Sequence, residues 1–353
     1  MILNVLKVFG GSVIAFFAGM ALTPVLTHYL YKYKMWRKEV RQFAPDGSPT
    51  PIFSKLHRER ETAVPRLGGI LIWTVPLMMI VLFRVFIYFF PAQFIFHKLN
   101  FLSRAQTWLP LFTLISASLV GLADDFLQIF GKGKYIAGGM RFSRRLAMII
   151  LIASAGAWWF YTKLEISSVF VPFWGGIELG IVFPIFFVIV MVATFSGGVI
   201  DGLDGLAGGV LAASFSAYAG IAFFQNQLDL ATFAASIVGA LLAFLWYNIP
   251  PARFYMGESG IMGLTTTLTV LAFLTDSVAV LPIIALPLVL ASGSSLIQLL
   301  SKRFFGRKIF KVAPLHHHLE AVGWPAHQVT MRFWVIAVVF AVIGMVITLI
   351  GRT

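Results

Sequence analysis

The chain has 353 residues, of which 59% are hydrophobic and 12% charged, with a mean hydropathy of +0.89. A soluble globular domain carries about a quarter of its residues as charges, so a water-soluble enzyme is excluded. The formal net charge is +13 and there is no cysteine, which removes disulfides, thiolate metal sites and a cysteine nucleophile.

A helix that crosses a bilayer needs about 20 apolar residues. Apolar runs bounded by charges, Gly/Pro or polar clusters predict ten of them, near 3–29, 67–90, 107–124, 145–162, 180–199, 206–224, 231–247, 260–275, 278–299 and 332–350. Stretches such as Ala212 to Phe224 and Val278 to Leu290 lack the alternation that marks strands of a membrane barrel. The expected fold is an all-α polytopic integral membrane protein, one domain over 1–353, without internal repeats. The first apolar run has neither a basic start nor an obvious small-residue cleavage site, so a cleaved signal peptide is not expected.

With the amino terminus outside, the inward loops are 30–66, 125–145, 200–205, 248–259 and 300–331, and they hold most of the 27 Lys and Arg residues. That asymmetry places both termini outside and assigns the positive charge to the cytoplasmic face and anionic headgroups, not to nucleic acid. The two longest loops, 30–66 and 300–331, share this side, so a water-soluble substrate is expected to meet the protein there.

Five of the 14 acidic residues fall in three motifs: Gly121-Leu-Ala-Asp-Asp125, Asp201-Gly-Leu-Asp-Gly205 and Met256-Gly-Glu-Ser-Gly260. All three are expected at cytoplasmic helix ends. An ionisable residue at membrane depth is costly unless paired, hydrated or metal-bound, and is a functional candidate by default. Asp124 and Asp125 are adjacent and should diverge; Asp201 and Asp204, three apart, should share one face of a helical turn. Oxygen donors without thiols suit Mg²⁺ or Mn²⁺ rather than zinc. A single Asp is better explained by helix termination or a solvent-facing loop position; three acidic motifs on one face are not. The glycines around Asp201, from Gly197-Gly198 through Gly202 to Gly208-Gly209, permit close approach of a ligand or, equally, close helix packing.

Basic residues and histidines occupy the same side. The segment Lys311-Val-Ala-Pro-Leu-His-His-His-Leu-Glu320 carries three consecutive histidines, of which at most two reach a common site. A metal role, a phosphate-facing role beside Lys308 and Lys311, and solvated loop histidines all fit. The first loop ends His57-Arg-Glu-Arg-Glu-Thr-Ala-Val-Pro-Arg66-Leu-Gly-Gly69, and its arginines suit the phosphate of a lipid head or serve as ordinary cytoplasmic charge. Lys132, Lys134, Arg141, Arg144 and Arg145 carry the same two readings.

Taken together, the segments Leu-Ala-Asp-Asp125, Ile200-Asp-Gly-Leu-Asp-Gly-Leu-Ala207, Asn248-Ile-Pro-Pro-Ala-Arg-Phe-Tyr-Met-Gly-Glu258 and Ala313-Pro-Leu-His-His-His-Leu-Glu-Ala-Val-Gly-Trp324 resemble, in content and order, the polyprenyl-phosphate N-acetylhexosamine-1-phosphate transferases. The triple His followed by Gly323-Trp324-Pro325 and Met331-Arg-Phe-Trp334 is most similar to the muramoyl branch. The resemblance runs from about residue 60 to the end. It implies ten spans in a bacterial cytoplasmic membrane, Mg²⁺, and transfer of phospho-MurNAc-pentapeptide from UDP-MurNAc-pentapeptide to undecaprenyl phosphate, giving the first lipid-linked peptidoglycan precursor and UMP. A homodimer is compatible with it. By position it implies that Asp124, Asp125 and Glu258 are the essential acids, with Glu258 binding the metal; from the acid cluster itself, Asp201 is expected to assist the metal and to face the substrate. Gly202, Leu203, Asp204 and Tyr255 would form the uracil pocket, and Asn248 and Gln298 would line the nucleotide-sugar cleft. His317 is its functional histidine, with His316 and His318 beside the substrate.

The chain departs from the family pattern at several places. The third acid is Glu258 where the family has Asp, Tyr255 stands for Phe, and Ser196-Gly-Gly-Val-Ile replaces an Asn-rich lead. Val64-Pro-Arg-Leu-Gly-Gly69 is nearer to the GlcNAc-1-phosphate branch. The competing readings are therefore a GlcNAc-1-phosphate transferase, a cation-coupled transporter and a membrane scaffold.

Overall fold

The computed structural model describes residues 2–38, 62–103, 106–131 and 139–352. It is a helical bundle. Its long helices are α1 (Ile2–Lys32), α2 (Ile70–Phe89), α3 (Trp108–Phe130), α4 (Phe142–Lys163), α5 (Phe183–Ser196), α6 (Leu206–Phe224), α7 (Leu228–Asn248), α8 (Glu258–Leu274), α9 (Leu286–Phe305) and α11 (Ala326–Ile350), with the short α10 (Leu315–Ala321) between the last two. Eight of them are long and apolar enough to cross a membrane. Val278–Ile284 and α9 are long and apolar enough only as a pair, bent by 81° as a broken span or a re-entrant loop, with a proline at the start of Leu281–Ile284 and of α9. Helix α8 is shorter and lies wholly inside the bundle, with every residue from Ser259 to Phe273 buried, so the described residues give eight or nine spans where the sequence predicts ten.

Small residues let the helices close on one another. On α1, Gly11, Ala15 and Gly19 recur every fourth position and face α7. A Cβ placed on Gly239 of α7 would lie 2.1 Å from the Ser12 carbonyl oxygen. Such stripes replace the hydrophobic drive that lipid does not supply. Two buried threonines of α8 satisfy themselves, Thr265 and Thr266 donating to the carbonyls of Ile261 and Met262 at 2.8 and 2.7 Å.

Two features depart from the sequence expectation. Helix α3 does not stop at residue 124 but runs to Phe130 and ends at Gly131 with φ +64°, because Asp124 and Asp125 have partners inside the bundle and need not face solvent. The span expected over 278–299 is broken at Ala285. A β-hairpin (Ser168–Val171 with Gly175–Glu178) follows α4. It is pinned at the bundle end where α8 and α11 finish: Asp276 accepts from the Phe170 N–H at 3.0 Å, and Arg352 donates to the Thr275 and Asp276 carbonyls. Helix α1, by contrast, delivers Arg37 to Gln128 of α3. Both chain ends therefore lie at the end of the bundle away from Gln128.

Candidate active site

The acids come together where α3 ends and α8 begins. Gly121 of α3 sits so close to the first turn of α8 that an added Cβ would lie 2.1 Å from the Glu258 carbonyl oxygen. This contact brings Asp125 under the amino terminus of α8, where it accepts from the backbone N–H groups of Glu258 and Ser259 at 3.1 and 2.9 Å. A carboxylate there meets the positive end of the helix dipole. Arg66, from the turn before α2, approaches Asp125 to 3.5 Å. That turn is fixed by backbone bonds from Gly68 and Gly69 to the carbonyls of Tyr255 and Met256, each 2.8 Å.

Asp124 points the other way, as two adjacent helical residues must. It accepts from Gln128 Nε2 at 2.8 Å and from the Met140 N–H. Arg145 of α4 joins the two helices, donating to Glu258 Oε1 at 2.6 Å and lying 3.4 Å from Asp124 Oδ2.

Asp201 completes the group from the α5–α6 connection. It takes a backbone hydrogen bond from Gly257 and feels the charges of Arg66, Glu258 and Asp125. Burial pushes its carboxyl up to about 7, Glu258 and Asp125 push the same way, and Arg66 and the Gly257 N–H oppose. Asp201 and Asp204 do not share a helical face. The backbone at Asp201 (φ −73°, ψ 63°) leaves the helical region, and Asp204 turns instead to the Ala252 N–H at 3.1 Å.

Behind this cluster the loops are tied to one another. Asn248 accepts from the Gly205 N–H and donates to the Phe254 carbonyl, at 3.0 and 2.8 Å. Thr330 and Trp334 of α11 bind the carbonyls of Asp204 and Gly205. Leu203 is buried. Tyr255 is partly buried and its backbone pairs with Pro65 and Gly68. The structure makes Asn248 a clamp between two loops. Gln298 is likewise a clamp: its amide binds Ile309, Phe310 N–H and Phe310 carbonyl, all at 3.0 Å.

The histidines lie on α10, a helix where a loop is expected. Two of the three share a destination. The Nε2 atoms of His316 and His317 lie 2.6 and 2.7 Å from where a Cβ on Gly202 would stand, so only glycine fits there. Glu320 binds His317 Nδ1 at 2.7 Å and turns its Nε2 toward the Asp201–Gly205 turn. His318 faces away, accepting from the Lys311 N–H and packing on Phe310; it does not join the site. His57 and the arginines and glutamates beside it, Lys132 and Lys134 lie outside the described residues.

Sequence reasoning missed Arg37, Gln128 and Glu320, whose importance lies in their bonds and not in any motif. Among the described residues no three Asp, Glu or His side chains are grouped to enclose a metal ion. The donor chemistry still fits Mg²⁺, which takes oxygen ligands and is commonly held by one or two carboxylates, with substrate phosphates and water supplying the rest. Glu258 is coupled electrostatically to Asp124, Asp125 and Asp201.

A helical membrane bundle with carboxylates and arginines gathered at one end is the setting of a membrane transferase, and the glycosyl transferase family 4 model matches residues 107–276. The chain is 30% identical to the phospho-N-acetylmuramoyl-pentapeptide-transferase of Anoxybacillus flavithermus over 347 residues, 95% of this chain and 98% of that protein. It is 31% identical to the enzyme of that name from Chloroflexus aurantiacus, covering 94% of this chain and 88% of that one. The figures for Latilactobacillus sakei are 34%, 68% and 74%. The chain belongs to the phospho-N-acetylmuramoyl-pentapeptide-transferase family.

Proposed function

We propose that this protein transfers phospho-MurNAc-pentapeptide from UDP-MurNAc-pentapeptide to undecaprenyl phosphate, releasing UMP, in the bacterial cytoplasmic membrane. The acid cluster faces the cytoplasm and both termini face outward. The carrying observation is the convergence of Asp124, Asp125, Asp201 and Glu258 with Arg66 and Arg145 at one bundle end. The names of its relatives supply the substrate class, and the positive loops supply the orientation.

Glu258 and Asp201 would hold Mg²⁺, which when bound neutralises diphosphate charge as the leaving UMP departs. The remaining work belongs to the chain. Asp125 fixes the start of α8 and so aims Glu258. Arg145 and Arg66 stand beside the acids as cations for phosphate oxygens. His317, oriented by Glu320, offers a donor at the Gly202 turn, and the lipid phosphate attacks the sugar-linked phosphorus. That phosphate is largely ionised near neutrality, since its second pKa is about 6, so Asp124 orients and holds charge and is not needed as a base.

UMP release by the purified protein, with Mg²⁺ and undecaprenyl phosphate, tests the reading. Release from UDP-MurNAc-pentapeptide but not from UDP-GlcNAc is expected. The reverse preference would move the protein to the GlcNAc-1-phosphate branch, toward which Val64-Pro-Arg-Leu-Gly-Gly69 leans, and no release from either donor would overturn the transferase reading.

A further inference from the structure

We propose that Arg37 and Gln128 form a positioning relay that holds Asp124 in its working orientation; this rests on the reading of Asp124 given above. Both side chains are almost fully enclosed, at 4% and 5% exposure, and both are argued to act through Asp124. Gln128 lies one helical turn beyond Asp124 on α3, so the two side chains meet on one face.

The direction of the relay follows from donor and acceptor chemistry. Arg37 donates from Nε to Gln128 Oε1 at 2.9 Å and also from a terminal nitrogen to the same oxygen. A guanidinium has donors only, so the amide oxygen must face it. The amide NH₂ then has one direction left, and it donates to Asp124 Oδ2 at 2.8 Å. The two ends of an amide are nearly equal in size. Without the arginine nothing steric prevents a flip that would aim oxygen at the carboxylate. The pocket is also close-fitting: a Cβ on Gly139 would lie 3.0 Å from Gln128 Cγ and 3.2 Å from Asp124 Oδ1. Gln128 cannot step aside, and the Met140 N–H holds the second oxygen of Asp124. Both carboxylate oxygens are thereby fixed relative to Arg145 and Glu258.

The test is steady-state transfer from UDP-MurNAc-pentapeptide to undecaprenyl phosphate by the purified full-length protein, with melting temperature measured alongside. Gln128→Glu keeps the Arg37 pairing and, as a carboxylate, turns the group facing Asp124 from donor to acceptor. The relay predicts that kcat per folded protein falls about 100-fold with both KM values within about twofold, since misplacement of about 1 Å costs this much, while the like charge buried beside Asp124 lowers the melting temperature. A purely structural glutamine would leave both Gln128→Glu and the donor-free Gln128→Leu near the wild-type rate, and that result overturns the relay. Arg37→Gln should slow transfer, and Arg37→Lys should recover most of the rate. The double variant Arg37→Gln/Gln128→Leu should be no slower than Gln128→Leu alone; losses that multiply would show the two residues acting separately. If Gln128→Leu fails to fold, Gln128→Glu and the two Arg37 variants decide. Asp124→Asn separates the premises. If it is inactive while Gln128→Glu is near wild type, the relay alone falls; if it retains full rate, the acid reading and the relay fall together.

Discussion

The two ends of the bundle treat charge differently. At the end bearing Ile2 and Arg352, two ion pairs serve architecture: Lys7 pairs with Asp229 across α1 and α7, and Arg352 lies 3.5 Å from Asp276 while its guanidinium packs over Phe170. At the other end, among the described residues, Asp124, Asp125, Asp201 and Glu258 gather around Arg66 and Arg145, so carboxylates outnumber the arginines bridging them. Burying carboxylates side by side is costly, and the two pairs at the first end only hold helices together. On the proposed function, the second end is where a cation and a ligand are received.

The sharpest way to break this comparison is Glu258→Gln. Transfer should fall by about 10³-fold, as when a group that stabilises transition-state charge is removed, with the melting temperature nearly unchanged; transfer assays and thermal unfolding in detergent decide. Within α10, His317→Ala should lower kcat by about 10²-fold, whereas His318→Ala, whose ring faces Lys311 and Phe310, should not. Equal losses would erase the distinction between the two rings.

At the opposite end the expectation inverts. Lys7→Met leaves Asp229 without its buried cation and should cost about 3 kcal/mol of stability, while the kcat of the folded fraction is retained. Kinetics and unfolding on the same sample test both parts.

The smallest effect is a pH dependence at Asp201. Its carboxyl has an ordinary value of 3.8 and is raised to about 7 in the folded chain. The folded state therefore binds a proton that the unfolded state has released between these values. Stability from this group is fully present below 3.8 and is lost as pH rises through about 7. In metal-free buffer Asp201→Asn should remove that decline, raising the melting temperature by a few degrees above pH 7 and not at pH 4. An unchanged slope would place Asp201 in water.

Much of this was legible in the sequence, for physical reasons. Ten apolar runs and their punctuation follow from the bilayer's demand for about 20 apolar residues, and α6, expected at 206–224, occupies those residues. The acid motifs were visible because charge is scarce in such a chain. The divergence of Asp124 and Asp125 follows from helical geometry. What was not legible depended on long-range partners. The last turns of α3 carry Asp124 and Asp125 to partners inside the bundle and Gln128 to Arg37, far away along the chain. The separation of Asp201 from Asp204 depends on Ala252 and Gly257. That the amides of Asn248 and Gln298 hold loop backbone depends on partners supplied by other segments. A side chain's partners are not written in its own neighbourhood.

The most direct measurement is calorimetric binding of UDP-MurNAc-pentapeptide to the full-length protein, with Mg²⁺ and with chelator, in wild type, Glu258→Gln and Asp201→Asn. Acids that grip a divalent ion together with a diphosphate predict tighter binding with Mg²⁺ in the wild type and loss of that difference in both variants. Equal affinity with and without Mg²⁺ in all three proteins would contradict it.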